Sequence, residues 1–194
     1  MREPNRRYRT LLSVSNETDQ DAWAAALRGE GEAFGLIFDR HRDRVRRHSH
    51  RLVPTPADAE DVVAITFLEA WRRRDAVRFV DGSMLPWLLV TATNSARNLS
   101  RGARRYRALL ERLPLASSFE PSPDDDAQRA LRSLPLADQQ VIALCVLDGY
   151  SEREAAAALG VAPGTVKSRL SRAKARLARQ LGNQVPTKEA TNET

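Results

Sequence analysis

The stretch SEREAAAALGVAPGTVKSRLSRAKARLARQL, Ser151 to Leu181, decides the fold because it reads as two helices joined by a tight turn. Ser151 suits an N-cap, and Glu154 three residues on can reach back to complete a capping box. Gly160 supplies the left-handed conformation that ends the first helix. The turn is Gly160-Val161-Ala162, and Pro163 fits the first position of the second helix, where its missing N–H costs nothing. At about 100° per residue, Val166, Leu170, Ala173 and Leu177 form one stripe that must face the first helix. The opposite face carries Gly164, Ser168, Ser171, Arg172, Ala175 and Arg179. Thr165, Arg169 and Arg176 flank it on one side, Lys167 and Lys174 on the other. Small residues between long cations let a helix lie close to a groove wall while Arg and Lys reach bases and phosphates, as a recognition helix does in the DNA major groove. A solvated basic face on an ordinary helical hairpin would share the charges. The agreement of turn, caps, stripe and charges favours the DNA reading.

The chain has 194 residues and a formal charge of +6, enough for one or two small domains that prefer an anionic partner, nucleic acid first. The charge is uneven: between residues 114 and 130, Glu120, Asp124, Asp125 and Asp126 face Arg129 alone, which describes an acidic linker between two basic domains. The one cysteine, Cys145, excludes an internal disulfide, and its apolar surroundings make it a small core residue. No apolar run approaches the ~18 residues of a membrane span, and no secretory signal is visible, so a cytoplasmic protein without membrane insertion is expected.

Taken in order, residues 1–18 lack periodicity and are expected to be flexible. Trp23, Ala26 and Leu27 fit a short helix, and Phe34, Ile37, Phe38, His41, Val45 and Leu52 a longer, arginine-rich one. His41, His48 and His50 lack the Cys or clustered carboxylates that would complete a ligand set, so no metal or other cofactor is expected, and they read as surface or boundary residues. Thr55-Pro56 starts the next helix. Ala59, Val63, Phe67 and Ala70 face inward there, and Asp58, Asp61, Ile65, Leu68 and Arg72 outward. Aliphatic residues bracketed by acids on an outward face fit a docking surface for another protein, or simply the scattered apolar exposure of any surface.

After a turn at Asp81-Gly82-Ser83, a long helix buries Leu85, Leu88, Ala92, Ala96, Leu99, Ala103, Tyr106 and Leu110. It presents Trp87, Val90, Asn94, Arg97, Asn98, Arg101 and Arg105 on its opposite face. Amides, guanidinium groups and an aromatic suit a strand with partly exposed bases, and equally suit a solvated polar face. Residues 114–124 read as a linker. A short helix over 127–134 and a buried one over 136–147 then lead into the helix-turn-helix, and residues 182–194 form a polar tail.

Three runs, DAEDVVAITFLEAW (58–71), WLLVTATNSARN (87–98) and LPLADQQVIALCVLDGYSEREAAAALGVAPGTVKSRLSRAKARL (134–177), together resemble an extracytoplasmic function (ECF) sigma factor of the bacterial sigma-70 family. The resemblance implies an all-α protein of two small helical domains joined by a flexible acidic linker. A region 2-like domain would span residues 19–113 and a region 4-like helix-turn-helix domain residues 125–181. It implies that Asp58, Asp61, Ile65, Leu68 and Arg72 dock on the polymerase core, whose β′ and β subunits are the expected protein partners. It implies that the Asp81 to Trp87 loop captures a flipped minus-ten base while Trp87, Asn94, Arg97, Asn98 and Arg101 hold the non-template strand. Thr165, Lys167, Ser168, Arg169, Ser171, Arg172 and Arg176 would read the minus-thirty-five duplex, and an anti-sigma factor would hold the protein inactive. The chain departs from the pattern at Ala64 and Ile65, where the family carries polar residues, and at Ala162, where the usual Ser or Thr cap is lost, at a cost of ~1 kcal/mol. With a tail this short after Leu181, no additional C-terminal regulatory domain is expected.

The expected function is therefore initiation of transcription of a stress or envelope-response gene set, through promoter recognition by a polymerase-bound factor that is not itself an enzyme. A LuxR-type regulator shares the Thr-Val-Lys entry into the recognition helix but would act without polymerase, and residues 58–98 argue against it. A DNA-processing enzyme would have only Asp58, Glu60 and Asp61 as candidate carboxylates. Adjacent helix positions diverge too widely to share one metal.

Overall fold

The computed structural model describes residues 18–110 and 124–182. The expected flexible N-terminus apart from Thr18, the linker up to residue 123 and the tail after Gly182 lie outside the described residues. The elements are α1 (Asp19–Leu27), α2 (Gly31–His50), α3 (Pro56–Arg72), a 3-10 turn (Arg74–Ala76), α4 (Leu85–Leu110), α5 (Asp124–Ser133), α6 (Leu136–Ile142), a π-helical turn (Ala143–Leu147), α7 (Glu152–Leu159) and α8 (Pro163–Gly182). Among the described residues the extended pairing is limited to an isolated bridge between Val80 and Ser83. The fold is all-α, as the sequence predicts.

Local chemistry sets the helix ends. Thr18 and Asp21 form a capping box at α1, and Thr55 accepts from the Asp58 N–H at 3.1 Å ahead of Pro56. Ile37, Val45, Leu52, Val62, Met84, Leu88 and Leu89 are completely or almost completely buried and join α2, α3 and α4. Each such side chain contributes roughly 1.5–3 kcal/mol. Leu134, Val141, Leu144 and Val166 do the same for α5 to α8.

These two groups form one continuous apolar cluster. The long helix α4 packs against α2 and α3, and α6, the π turn and α7 cover it from another side. This corrects the one-sided reading of α4: Trp87 and Val90, expected outward, are 6% and 9% exposed. Thr91 and Thr93 are buried with them, their hydroxyls donating to the carbonyls of Trp87 and Leu89 at 3.0 and 2.9 Å. The side chains of Ala103, Tyr106 and Leu110, expected on the buried stripe, lie outside the described residues.

Three smaller expectations are also corrected. His41 and His48 are core residues, at 5% and 1% exposure, because each finds a buried carboxylate. The helix expected over 136–147 changes to π geometry at Ala143, with the Asp148 N–H reaching back to the Ala143 carbonyl at 3.0 Å. Helix α5 starts at Asp124, three residues earlier than expected.

Candidate nucleic-acid interface

The helix-turn-helix forms as its sequence dictates. The Ser151 hydroxyl accepts from the Glu154 N–H at 3.2 Å, while the Glu154 carboxylate accepts from the Ser151 N–H at 2.8 Å and from its hydroxyl at 2.5 Å. Those bonds lower the Glu154 pKa, the Ser151 side chain first and its backbone second. Gly160 adopts φ +67 and closes α7 in the left-handed region. Val166, Leu170 and Ala173 are buried, which turns Lys167, Ser168, Ser171 and Arg172 out to solvent. Thr165 and Arg169 lie half-buried at the flank. The Arg172 Nε donates to the Ser168 carbonyl at 3.3 Å, and the side chain is exposed. Arg176 differs from the other six: its Nη1 is ion-paired with the buried carboxylate of Asp138 on α6.

On α4, Asn98 and Arg101 are exposed. Asn94 and Arg97 are half-buried because the second helical group meets them: Gln140 Nε2 donates to Asn94 Oδ1 at 2.8 Å, and Arg97 Nη1 donates to the Leu134 carbonyl at 2.6 Å. The turn before α4 is unusual in its backbone. Asp81 has φ +50 and Gly82 φ +78, closed by reciprocal Val80–Ser83 bonds of 2.8 and 3.0 Å. Asp19 anchors it. Its Oδ2 accepts from the Met84 N–H at 2.8 Å, from the Ser83 hydroxyl at 2.9 Å and from His41 Nε2 at 2.6 Å, and its Oδ1 from Arg40 at 2.6 Å. Burial alone would raise its pKa; the bonds from His41 and Met84 and the cations beside it overcome burial and hold the carboxyl well below the usual carboxylate range.

The outward face of α3 is apolar where expected, with Ile65 and Leu68 at 36% and 54% exposure. Asp61 and Arg72 are exposed beside them. Asp58 is half-buried and accepts from the Thr55 hydroxyl at 2.7 Å, so part of its carboxylate serves the helix cap. Sequence reasoning missed Trp71, 40% exposed and held edge-on against Trp23 and Phe34. Its position one turn beyond Leu68 was the available signal. Also missed were His48, Arg51, Arg78, Gln140 and Asp148, whose contacts join residues distant in the chain. Among the described residues there is no cluster able to hold a metal ion. Burial pushes the Cys145 thiol pKa up, which keeps it a poor nucleophile.

Two family profiles match the chain: "Sigma-70 region 2" over residues 37–106 and "Sigma-70, region 4" over residues 124–177. The ECF RNA polymerase sigma factor SigM of Mycobacterium tuberculosis (strain ATCC 25618 / H37Rv) is 34% identical over 168 residues, covering 85% of each chain. The RNA polymerase sigma factor CarQ of Myxococcus xanthus is 33% identical over 162 residues, covering 79% of this chain and 92% of its own. Among solved structures, CnrH in complex with the cytosolic domain of CnrY superposes with a TM-score of 0.59 at 30% identity, covering 86% of this chain and 98% of CnrH. The sigma factor RpoE of Bartonella quintana, in complex with the anti-sigma factor NepR, gives 0.50 at 27% identity, covering 81% of this chain and 99% of its own.

Proposed function

The chain belongs to the sigma-70 family, in its ECF class of RNA polymerase sigma factors, and from that premise we propose how its surfaces divide the work of initiation. A sigma factor joins the polymerase core and brings it to promoter DNA. The exposed basic face of α8, Lys167, Ser168, Ser171 and Arg172 with Thr165 and Arg169 at its flank, reads the minus-thirty-five duplex. Arg and Lys supply base-edge and phosphate contacts there. The observation that carries this reading is the disposition of α8, with Val166, Leu170 and Ala173 buried and the cations turned outward.

Asn94, Arg97, Asn98 and Arg101 on α4 hold the non-template strand, and the Asp81 turn takes one base out of the stack, a step costing a few kcal/mol that the pocket must offset. Trp87 joins that face only if α4 is uncovered, since it is buried here. Residues 19–113 and 125–181 act as the two functional domains, region 2-like and region 4-like. Ile65, Leu68, Asp61 and Arg72, with Asp58 at the margin, dock on the polymerase core through its β′ subunit. The chemistry of RNA synthesis belongs to the polymerase, and the sigma factor contributes recognition and strand separation rather than catalysis. The genes served are a stress or envelope-response set, and an anti-sigma factor controls the protein, as the complex of RpoE with the anti-sigma factor NepR supports. A cytoplasmic site of action fits these partners; among the described residues no helix is long and apolar enough to cross a membrane.

Run-off transcription with purified core polymerase on genomic fragments tests the whole reading. Discrete transcripts that require both the core and this chain are expected. Specific duplex binding by the chain alone, with no new transcript when it is added to core, would instead support a regulator acting alone.

A further inference from the structure

An acid in the first turn of a helix ordinarily faces water, yet Asp19 is 3% exposed and its carboxylate accepts only from outside α1. Arg40 and His41 reach it from α2, and the Ser83 hydroxyl and the Met84 N–H from the end of the Val80–Ser83 turn. An ionised carboxylate is acceptor-only, with room for about four donors, so this set saturates it. The helix that carries Asp19 is itself fixed. Ala22 and Trp23 are buried in the core, and the Trp23 ring lies 6.0 Å from that of Phe34 and 6.2 Å from that of Trp71.

What the carboxylate holds is strained. Among the described residues Asp81 is the only one other than glycine with a positive φ, and Gly82 follows it in the same region. Such a backbone persists only where its surroundings over-determine it. Asp19 supplies that constraint on Ser83 and Met84, and Thr18 closes against the turn, its methyl 3.5 Å from where a Cβ at Gly82 would stand. On the other side the Ser83 hydroxyl accepts from the Leu85 N–H at 3.2 Å, and the Met84 carbonyl accepts from the Leu88 N–H at 3.0 Å. The turn is therefore tied both to α1 and to the first turn of α4. Met84 is completely buried at its base, and Asp81 is exposed at its tip.

We infer that Asp19 is a positioning residue for strand capture: standing on α1, its carboxylate fixes the Val80–Ser83 turn, and with it Asp81, in the one shape that selects an unstacked base. The inference rests on the reading of that turn as the capture site. Asp19 touches no DNA in this role and acts through Ser83 and Met84. Choice among bases is a difference of affinities, and a loop free to re-form around each base loses the penalty on the wrong ones. A turn already fixed also binds without the cost of ordering itself. Asn at this position would offer one acceptor oxygen where Asp offers two, and would set an N–H group against the donors around it.

The test uses the full chain bound to purified core polymerase, with forked DNA whose single-stranded minus-ten segment is randomised as the probe. Bound DNA is recovered and sequenced for wild type, Asp81→Ala, Asp19→Asn and Ser83→Ala. Asp81→Ala, at the tip of the turn, should alter the preference at one position and so mark the captured base. Asp19→Asn should lower the preference at that same position at least fivefold, Ser83→Ala by a smaller factor, and neither should change the other positions. A residue with a structural role alone would reduce the amount of DNA bound and leave every base preference as it was. That result for a folded Asp19→Asn, beside a shift in Asp81→Ala, would overturn the positioning role and leave the turn as the capture site. Unchanged preference in both variants would overturn the reading of the turn, and the inference with it. Circular dichroism reports whether Asp19→Asn is folded. If it is not, Ser83→Ala decides, and wild-type preference in that variant would overturn the inference.

Discussion

Asp19, the first residue of α1, accepts the backbone N–H of Met84 at 2.8 Å and so pins the Val80–Ser83 turn to the start of α1. The same carboxylate binds His41 and Arg40, joining three segments through one buried group. Removing one partner of such a group leaves the others desolvated, typically at 3–5 kcal/mol. Asp19→Ala should lose ~3 kcal/mol of unfolding free energy in urea titration, and a loss under 1 kcal/mol would deny the anchor its weight. The pH dependence has a definite sign. The folded-state pKa is depressed, so the contribution is fully present above the ordinary carboxylate value of 3.8 and is lost as pH falls below it. Wild type should therefore lose stability between pH 4 and pH 2 more steeply than Asp19→Asn.

The apolar face of α3 is the proposed docking surface. Ile65, Leu68 and Trp71 are exposed together on one helix, and burying a Leu side chain is worth ~1.5–3 kcal/mol, a tenfold or greater effect on affinity. Leu68→Asp and Trp71→Ala should each weaken binding to core polymerase at least tenfold in a fluorescence titration while leaving the circular dichroism spectrum unchanged. A folded Leu68→Asp chain that binds core as tightly as wild type would remove the docking role from this face.

Gly160 carries two constraints at once, a left-handed backbone and the Arg78 guanidinium where a Cβ would stand. The backbone term alone costs an alanine ~1–2 kcal/mol, and the flexible Arg78 end can move aside. Gly160→Ala should therefore destabilise the chain by that amount and also release the Arg78 contact. Ser151→Ala, which removes only the cap, should cost ~1 kcal/mol. Thermal unfolding of the two variants measures each effect; no loss in Gly160→Ala would mean that the positive φ carries no strain.

The features read correctly from sequence are those whose cause is local. Ser151, Glu154, Gly160 and Pro163 act within a few residues of one another, and the Val166-Leu170-Ala173 stripe follows from helix periodicity alone. The exposed Ile65 and Leu68 were legible for the same reason. What escaped depends on contacts between distant residues. The His48–Asp148 bond spans 100 positions and the Gln140–Asn94 bond 46. Without them α4 reads as a helix with one wet face, and Trp87 as an outward aromatic. Asp19 likewise looks like an ordinary first-turn acid until α2 and the Ser83-Met84 turn are folded around it.

Arg172 and Arg176 stand one turn apart on α8, yet the structure gives them different work. Arg172 is exposed, and its Nε bond to the Ser168 carbonyl leaves its terminal nitrogens toward solvent on the side opposite Val166, Leu170 and Ala173. A bidentate contact from such a group to guanine discriminates by ~1–3 kcal/mol, whereas a phosphate contact weakens all sequences alike. Arg172→Ala should therefore relax preference at one or two positions of the upstream element in selections on a randomised duplex. Arg176 reads from sequence as a flank cation that would hold phosphate, but it neutralises the buried Asp138 and ties α8 to α6. Arg176→Ala should chiefly lower stability, because it leaves that carboxylate unpaired, and should leave the salt dependence of duplex binding near the wild-type slope. Arg176→Ala with Asp138→Asn should recover most of the lost stability, since the amide no longer needs a cation. Selections and salt titrations on both single variants, with unfolding curves for all three, distinguish these roles. If Arg172→Ala keeps the wild-type sequence preference and loses only overall affinity, the placement of α8 in the major groove is wrong.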